Sequence, residues 1–354
     1  MKERAQMKLH CSVFATLFTL LGSLLPTPQT AKVTALVVDE ISGEPIEGAM
    51  VSGVFEIECN PWERVKGSPS PNIDRKQTDK DGRCILTGKT NNGEVSCLLR
   101  GGIDSHYWVM QGGGYTFKSK NLFGAWQPDN VVVTIKLQRV EHPIPLFVKN
   151  VRESGRKRDL FEEGGGRVSF DFLEGDWLPP VGNGKVADVE FVRLPREDLG
   201  DAENNGLKAK AYRDSMTVKF LGVDNGLVDM KVSPHDCLKI RVAPEDGYVS
   251  DYLCWDAYSK RMQVETNYDY NRCFCFRVRT KRDEHGNIVD AYYGKIYHDI
   301  KFEYKNKPFV PIATVKMFYY LNPTSLARNL EWDRVNNLCP NPGDVGHSVG
   351  ERQP

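Results

Sequence analysis

No Asn-x-Ser/Thr acceptor occurs in the 354 residues; Pro323 blocks the one that Asn322 would otherwise begin. Chains secreted through a glycosylating pathway commonly carry such sites on surface loops, so their absence favours a bacterial exported protein. Net charge is missing too. Lys and Arg total 47 and Asp and Glu total 47, so no global field draws the chain to nucleic acid or an anionic membrane. Sustained helical periodicity is lacking, apart from a turn or two around Ser325 to Asn336, which argues against a helical architecture. There is no His-Glu-x-x-His and no Gly-x-x-x-x-Gly-Lys-Ser/Thr, so metalloprotease and P-loop chemistry have no anchor. No two carboxylates are placed by sequence at the separation glycosidic chemistry requires. The expectation is a protein with no catalytic residue, no cofactor and no metal.

Long apolar runs are absent beyond the N-terminus, so no later segment is expected to span a bilayer. The exception is a leader. Lys2, Arg4 and Lys8 precede the apolar stretch Val13 to Leu25, and Pro26, Thr27, Pro28, Thr30 and Ala31 follow it. That order reads as a signal peptide over 1–31, cut between Ser23 and Ala31. Export permits disulfides. Outside the leader the cysteines are Cys59, Cys84, Cys97, Cys237, Cys254, Cys273, Cys275 and Cys339. Cys237, Cys254, Cys273 and Cys275 are the candidates for a disulfide or for buried thiols. Cys273 and Cys275 lie on one strand face, about 7 Å apart by strand rise, a poor geometry for pairing with each other. Cys254 or Cys237 on a neighbouring strand is the better partner. A zinc site would need His298 or His235 in addition, and the spacing matches no zinc pattern.

What is present is alternation. Phe274, Phe276 and Val278 fall on one side of a segment whose other side carries Cys275, Arg277 and Arg279, the period of two of a strand with one buried face. Arg282 to Asn287 turns the chain, Ile296, His298, Ile300 and Phe302 continue the pattern, and Val315 to Leu321 supplies a third strand. His298 shares the parity of Ile296 and Ile300, which predicts a core histidine. Further strands are expected at Lys32 to Asp39, Val131 to Leu137, Arg167 to Leu173, Val186 to Leu194, Ser215 to Leu221 and Cys237 to Val242. The fold class is all-β. Residues 32–140 form a small β-sandwich, 141–166 a linker and exposed loop, 167–339 a larger β-sandwich or jelly-roll-like domain, and 340–354 a disordered tail. The polar stretch Asn60 to Asn72 reads as a surface insertion.

The first sandwich resembles the carboxypeptidase regulatory-like, or transthyretin-like, domain family. Val38-Asp39 through Ser42-Gly43, then Pro45-Ile46, Gly48-Ala49 and Val51, match its opening pattern, and Thr78-Asp79-x-Asp81-Gly82-Arg83 matches its mid-domain turn. The resemblance spans about Lys32 to Arg139. It implies a structural or adhesive accessory module without catalytic residues.

Asp79-Lys80-Asp81-Gly82 also suggests a calcium loop, but Arg83 and Thr90 stand where that loop needs acidic or amide ligands, so a plain turn is expected. Aromatic residues beside turns remain as ligand candidates. Trp177, Trp255, Tyr268 and Tyr270 are singled out for stacking on a ligand, with Trp62, Trp108 and Trp126 weighed beside them; most such rings in β proteins belong to the core. The resulting expectation is an exported protein, periplasmic, cell-surface or secreted, that binds a polysaccharide or a surface protein. A carbohydrate-active hydrolase with its acids on loops of the second domain, and a structural envelope subunit, are the alternatives.

Overall fold

The computed structural model describes residues 29–57, 72–90, 95–103, 109–121, 125–152, 160–163, 165–204, 207–232, 234–259, 263–307 and 310–341. The leader through residue 28, most of the Asn60–Asn72 stretch, Cys59, Trp62, Trp108 and the tail beyond residue 341 lie outside them. The chain divides into two compact units after Arg139, and both are built from β-sheets.

The first unit contains β1 (Gln29–Asp39), β2 (Met50–Ile57), β3 (Asn72–Gln77), β4 (Arg83–Thr90), β5 (Val95–Gly102), β6 (Val109–Phe117), β7 (Ser119–Lys120), β8 (Trp126–Gln127) and β9 (Val131–Leu137). They form a three-stranded sheet, β4-β1-β9, and a four-stranded sheet, β3-β2-β5-β6. The first strand runs antiparallel to β4 and parallel to β9. Its alternating residues Ala31, Val33, Ala35 and Val37 share one core with Val51, Phe55, Leu99 and Phe117 of the other sheet. Each such fully buried large side chain contributes about 1.5–3 kcal/mol. A β-carbon on Gly88 would sit 2.2 Å from Phe55 Cγ, so only glycine lets the two sheets close there. The Asp79 turn is self-contained: Asp79 Oδ1 accepts the N–H groups of Asp81 and Arg83, both at 2.9 Å, and Gly82 takes φ +70°.

The second unit contains β10 (Ile144–Arg152), α1 (Leu160–Glu163), β11 (Arg167–Asp171), β12 (Asp176–Trp177), β13 (Val189–Arg193), β14 (Glu197–Asn204), β15 (Leu207–Phe220), β16 (Gly226–Asp229), α2 (Pro234–Leu238), β17 (Asp251–Ser259), β18 (Gln263–Thr266), β19 (Phe274–Arg282), β20 (Ile288–Lys307), β21 (Val310–Leu321) and β22 (Trp332–Asn337). One sheet runs β16-β19-β20-β21-β10-β22; the other runs β12-β11-β13-β15-β17-β18, with β14 paired to β15. Their shared core holds Phe170, Phe172, Phe191, Phe220, Phe276 and Tyr319. Phe172 stacks on Phe276 with ring centroids 4.4 Å apart.

Several expectations need correction here. The segment 141–166 is not a linker: β10 pairs with β21 and β22 inside the first of these sheets, and Leu160 and Phe161 of α1 are buried in the core. Cys237 to Val242 is not a strand, since α2 takes in Cys237 and Leu238. Ser325 to Asn336 has no helix and ends in β22. Nor does β19 bury one face only. Phe274, Phe276 and Val278 enter the main core, while Cys275 joins Ala243, Ala291, Tyr293 and Leu330 on the opposite side. Arg277 is accordingly buried, and its guanidinium donates to the carbonyls of Asp224 and Glu245. The chain between β16 and β17, and the run after β21, form a second layer over the outside of that sheet.

Candidate functional site

The long strand β20 is interrupted. Tyr297 pairs with Phe318 of β21, and the next aligned pair is Lys301 with Lys316, so His298, Asp299 and Ile300 stand opposite Met317 alone. Two extra residues must be looped out. His298 takes φ 68°, a left-handed conformation that costs a non-glycine residue about 1–3 kcal/mol, and a bulge of this kind redirects side chains. Its effect is to reverse the predicted burial. Asp299 turns inward and is buried, while His298 is half-buried at the surface; the core-histidine reading fails because alternation does not survive a bulge.

Asp299 is the anchor for a neighbouring loop. Its carboxylate accepts from Tyr252 Oη at 2.8 Å, from Arg272 Nη1 at 2.9 Å and from the Asp269 N–H at 3.0 Å. Burial pushes this carboxyl above the usual aspartate range, against those bonds. The same loop is held at its start, where Asn267 Oδ1 accepts the Trp255 N–H at 2.7 Å and Asn267 Nδ2 donates to the Leu253 carbonyl at 2.6 Å. At its end Cys273 is disulfide-bonded to Cys237, with S–S 2.05 Å. Between these anchors the loop carries Tyr268 and Tyr270. Tyr270 is 59% exposed. Its ring lies 4.3 Å from that of His298, which lies 4.1 Å from that of Tyr297. His298 Nδ1 is 3.1 Å from the Tyr270 carbonyl oxygen; because a carbonyl only accepts, Nδ1 carries the proton. Lys301 Nζ lies 5.2 Å from the centre of the Tyr268 ring. The result is a rigid aromatic and cationic platform at the bulge.

Of the four aromatic candidates, the structure brings Tyr268 and Tyr270 together. Trp177 is 3% exposed and packs edge-on against Phe170 and Phe191, so its ring is core. Trp126 is buried likewise. Trp255 is half-buried with the Arg213 guanidinium 4.7 Å over its ring, and it serves the platform through its backbone bond to Asn267. Tyr297 and Lys301 were not singled out from sequence, and His298 was read as core, because only the bulge places the three beside Tyr270. Cys254 and Cys275 are free and buried; burial lifts the Cys275 thiol to about 12 and the Cys254 thiol well above its ordinary value, so neither is a reactive thiolate.

Other buried charges are committed internally. Asp214 is fully buried and meets Arg193, Arg196 and the Tyr258 hydroxyl. Among the described residues no group of three His, Cys, Asp or Glu side chains could hold a metal. Gly346-His347-Ser348-Val349-Gly350 has the Gly-x-Ser-x-Gly spacing and lies outside the described residues.

Lys295 is the most perturbed amine. It is 2% exposed, and Nζ donates to the carbonyls of Leu238 and Ile240 at 3.2 and 3.0 Å. Burial pulls its pKa down to about 8 from an ordinary value of 10.5. Those carbonyl bonds hold α2 and the following chain against the sheet, which is a structural use. The unfolded chain then binds more protons between about 8 and 10.5, so this group's contribution to stability rises with pH across that window. At neutral pH the buried charge costs about 3 kcal/mol. Chemical denaturation of Lys295→Met beside the parent, at pH 7 and pH 9.5, is expected to show the parent gaining on the variant at the higher pH. A gap that stays constant would mean the amine is not depressed. The difference between the two chains removes the opposing titration of the buried thiols.

No family model matches the chain, and no curated protein matches it. Solved structures give partial likenesses. A streptococcal ancillary pilin is 14% identical with TM-score 0.20, over 51% of this chain and 58% of that one. A variant of shaft pilin SpaA from Lactobacillus rhamnosus GG is 11% identical with TM-score 0.21, over 85% and 94%. The full-length major pilin SpaD from Corynebacterium diphtheriae is 11% identical with TM-score 0.24, over 81% and 64%. The chain thus covers less than two thirds of the first and third. Superposition this partial fixes neither fold family nor function.

Proposed function

We propose that this chain is an exported, non-enzymatic protein of a bacterial cell surface, a β-sandwich subunit that presents a pinned recognition loop, with a transthyretin-like module as its first unit. The observation that carries the reading is the loop from Asn267 to Cys273. A disulfide, a buried carboxylate and backbone bonds restrain it, yet it holds the Tyr270 ring in water. Preorganisation of an exposed aromatic lowers the ordering cost of binding and has no evident use in packing. The leader-like N-terminus and the match of the first unit's opening pattern and turn support export and an accessory role. Both are tested on whole cells producing the full chain. Surface protease is expected to remove the protein from intact cells, and the purified chain is expected to release no sugar from a polysaccharide panel. Retention in the cytoplasm would overturn the location, and turnover would make the chain an enzyme.

A further inference from the structure

The two sheets of the first unit are stitched along one side by polar side chains. β4 is a terminal strand of its sheet, and β3 is a terminal strand of the other. A terminal strand offers a row of backbone groups on which another chain can pair. Along β4 the residues whose backbone groups bond away from β1 are Arg83, Ile85, Thr87 and Lys89, the alternate set of an antiparallel strand. Arg83 is held by its own turn: its N–H reaches Asp79 Oδ1 at 2.9 Å, and its carbonyl accepts the Asp79 N–H at 2.8 Å. The other three meet β3. The Ile85 carbonyl accepts from Lys76 Nζ at 2.5 Å, the Thr87 N–H donates to Asp74 Oδ2 at 2.8 Å, and the Lys89 carbonyl accepts from Asn72 Nδ2 at 3.0 Å. Asn72, Asp74 and Lys76 are every second residue of β3, so one row of side chains follows the β4 edge in register. Lys76 Nζ and Asp74 Oδ2 also pair with each other at 3.3 Å. Both carbonyl bonds lie at exposed positions, where water would satisfy the backbone equally well. What the side chains add is occupancy of the edge.

We infer that Asn72, Asp74 and Lys76 guard β4 against pairing edge to edge with β4 of a second copy of this chain. The edge is a latent homodimer interface that the guard keeps closed. Two copies of one edge are self-complementary about a two-fold axis, and the sequence of β4 supplies a compatible register. Antiparallel pairing with Ile85 opposite Ile85 sets Arg83 opposite Thr87 and carries Lys89 toward Asp81. No like charges then stand opposite each other. The register centred on Leu86 would instead set Arg83 against Lys89, a repulsive pair. Ile85 is 50% exposed, so the favoured pairing would also bring two apolar side chains together. The inference concerns the first unit and is independent of the Tyr270 loop.

The test is disulfide cross-linking of the full chain through an added cysteine. Directly opposed residues of an antiparallel ladder have Cα atoms about 5.5 Å apart, within disulfide reach, so Ile85→Cys reports the proposed register. The free cysteines among the described residues are buried, and the chain without the added cysteine sets the background. Under a mild oxidant, slow dimer formation is expected with the guard intact. Lys76→Ala removes one exposed guard and is expected to speed it about fivefold, as loss of one net hydrogen bond would. Asn72→Ala/Asp74→Ala/Lys76→Ala is expected to speed it further and, without the added cysteine, to gain one step of association over the parent in sedimentation. Val132→Cys, exposed on the terminal strand β9, is the control and is expected to cross-link at one rate in all three backgrounds. Equal rates at position 85 in the parent and Lys76→Ala backgrounds would overturn the inference. So would faster cross-linking at positions 85 and 132 alike, which marks a loosened fold rather than an opened edge. Should the triple variant lose the circular dichroism of the parent, the Lys76→Ala comparison decides alone.

Discussion

Replacing Arg279 with alanine is expected to cost about 3–5 kcal/mol, the typical loss when one partner of a buried ion pair is removed. Arg279 sits at a second bulge, where β19 passes from the Val278–Tyr292 pair to Lys281–Asp290 with one residue too many. It takes φ 57° and sends its guanidinium to the opposite sheet of its unit. Nε meets Asp188 Oδ1 at 2.8 Å, and Nη2 meets Asp171 Oδ1 at 2.6 Å. Both carboxylates are buried. Asp171 also gathers the N–H groups of Leu173, Glu174, Lys185 and Val186. Burial opposes its charge, but those bonds and Arg279 hold its pKa below the ordinary range. Asp188 differs: burial raises its pKa even with Arg279 beside it. Without the guanidinium its pKa would rise further. A carboxyl whose folded pKa is raised costs stability as pH rises, so the deficit of the variant should be largest at neutral pH. It should narrow toward about pH 4, where unfolded aspartates also take up protons. Urea denaturation at pH 7 and pH 4.5 checks both points. A loss below 1 kcal/mol at pH 7, or one that widens in acid, would show that the clamp does not hold the sheets together.

Much of this fold was legible because it rests on alternation. Ala31 to Val37, Val131 to Leu137 and Val315 to Leu321 each place apolar residues at every second position, and each forms a strand. What escaped the sequence has physical causes. The stretch Glu197 to Asn204 is mostly polar, with only Leu199 and Ala202 apolar, and gives no periodic signal, yet its backbone completes a hairpin with β15. Leu160 and Phe161 are two apolar residues in a charged stretch, too few to show a period, and they are buried. Leu238, Ile240 and Val242 alternate like a strand. The first two instead pack their side chains onto the covered face of a sheet, and Val242 is 55% exposed. The two bulges matter most for the site. A period of two carries no information past an inserted residue, so Arg279 and His298 were each assigned the wrong surroundings. Tyr270 was legible as a loop aromatic; its partners were not.

Breaking the Cys237–Cys273 bond is the other change with a large expected effect. The cysteines are 36 residues apart in sequence, and closing a loop of that length removes enough unfolded-chain entropy to stabilise by about 4 kcal/mol in the chain-entropy account. The bond also ties α2, whose Leu238 carbonyl accepts from Lys295, to the end of the Tyr270 loop. Reduction should therefore do more than lower stability. It frees the loop at Cys273 while leaving the Asp299 and Asn267 bonds in place, so Tyr270 would remain near His298 but lose part of its restraint. Comparing oxidised and reduced parent protein isolates the bond itself, because no atom other than hydrogen changes; Cys237→Ala/Cys273→Ala then reproduces the reduced state without reductant. Both are expected to unfold at lower urea than the oxidised chain and to exchange the amide hydrogens of the Asn267–Cys273 loop faster. If stability falls and loop exchange does not rise, the disulfide serves the fold alone, and the restraint on the loop comes from Asp299.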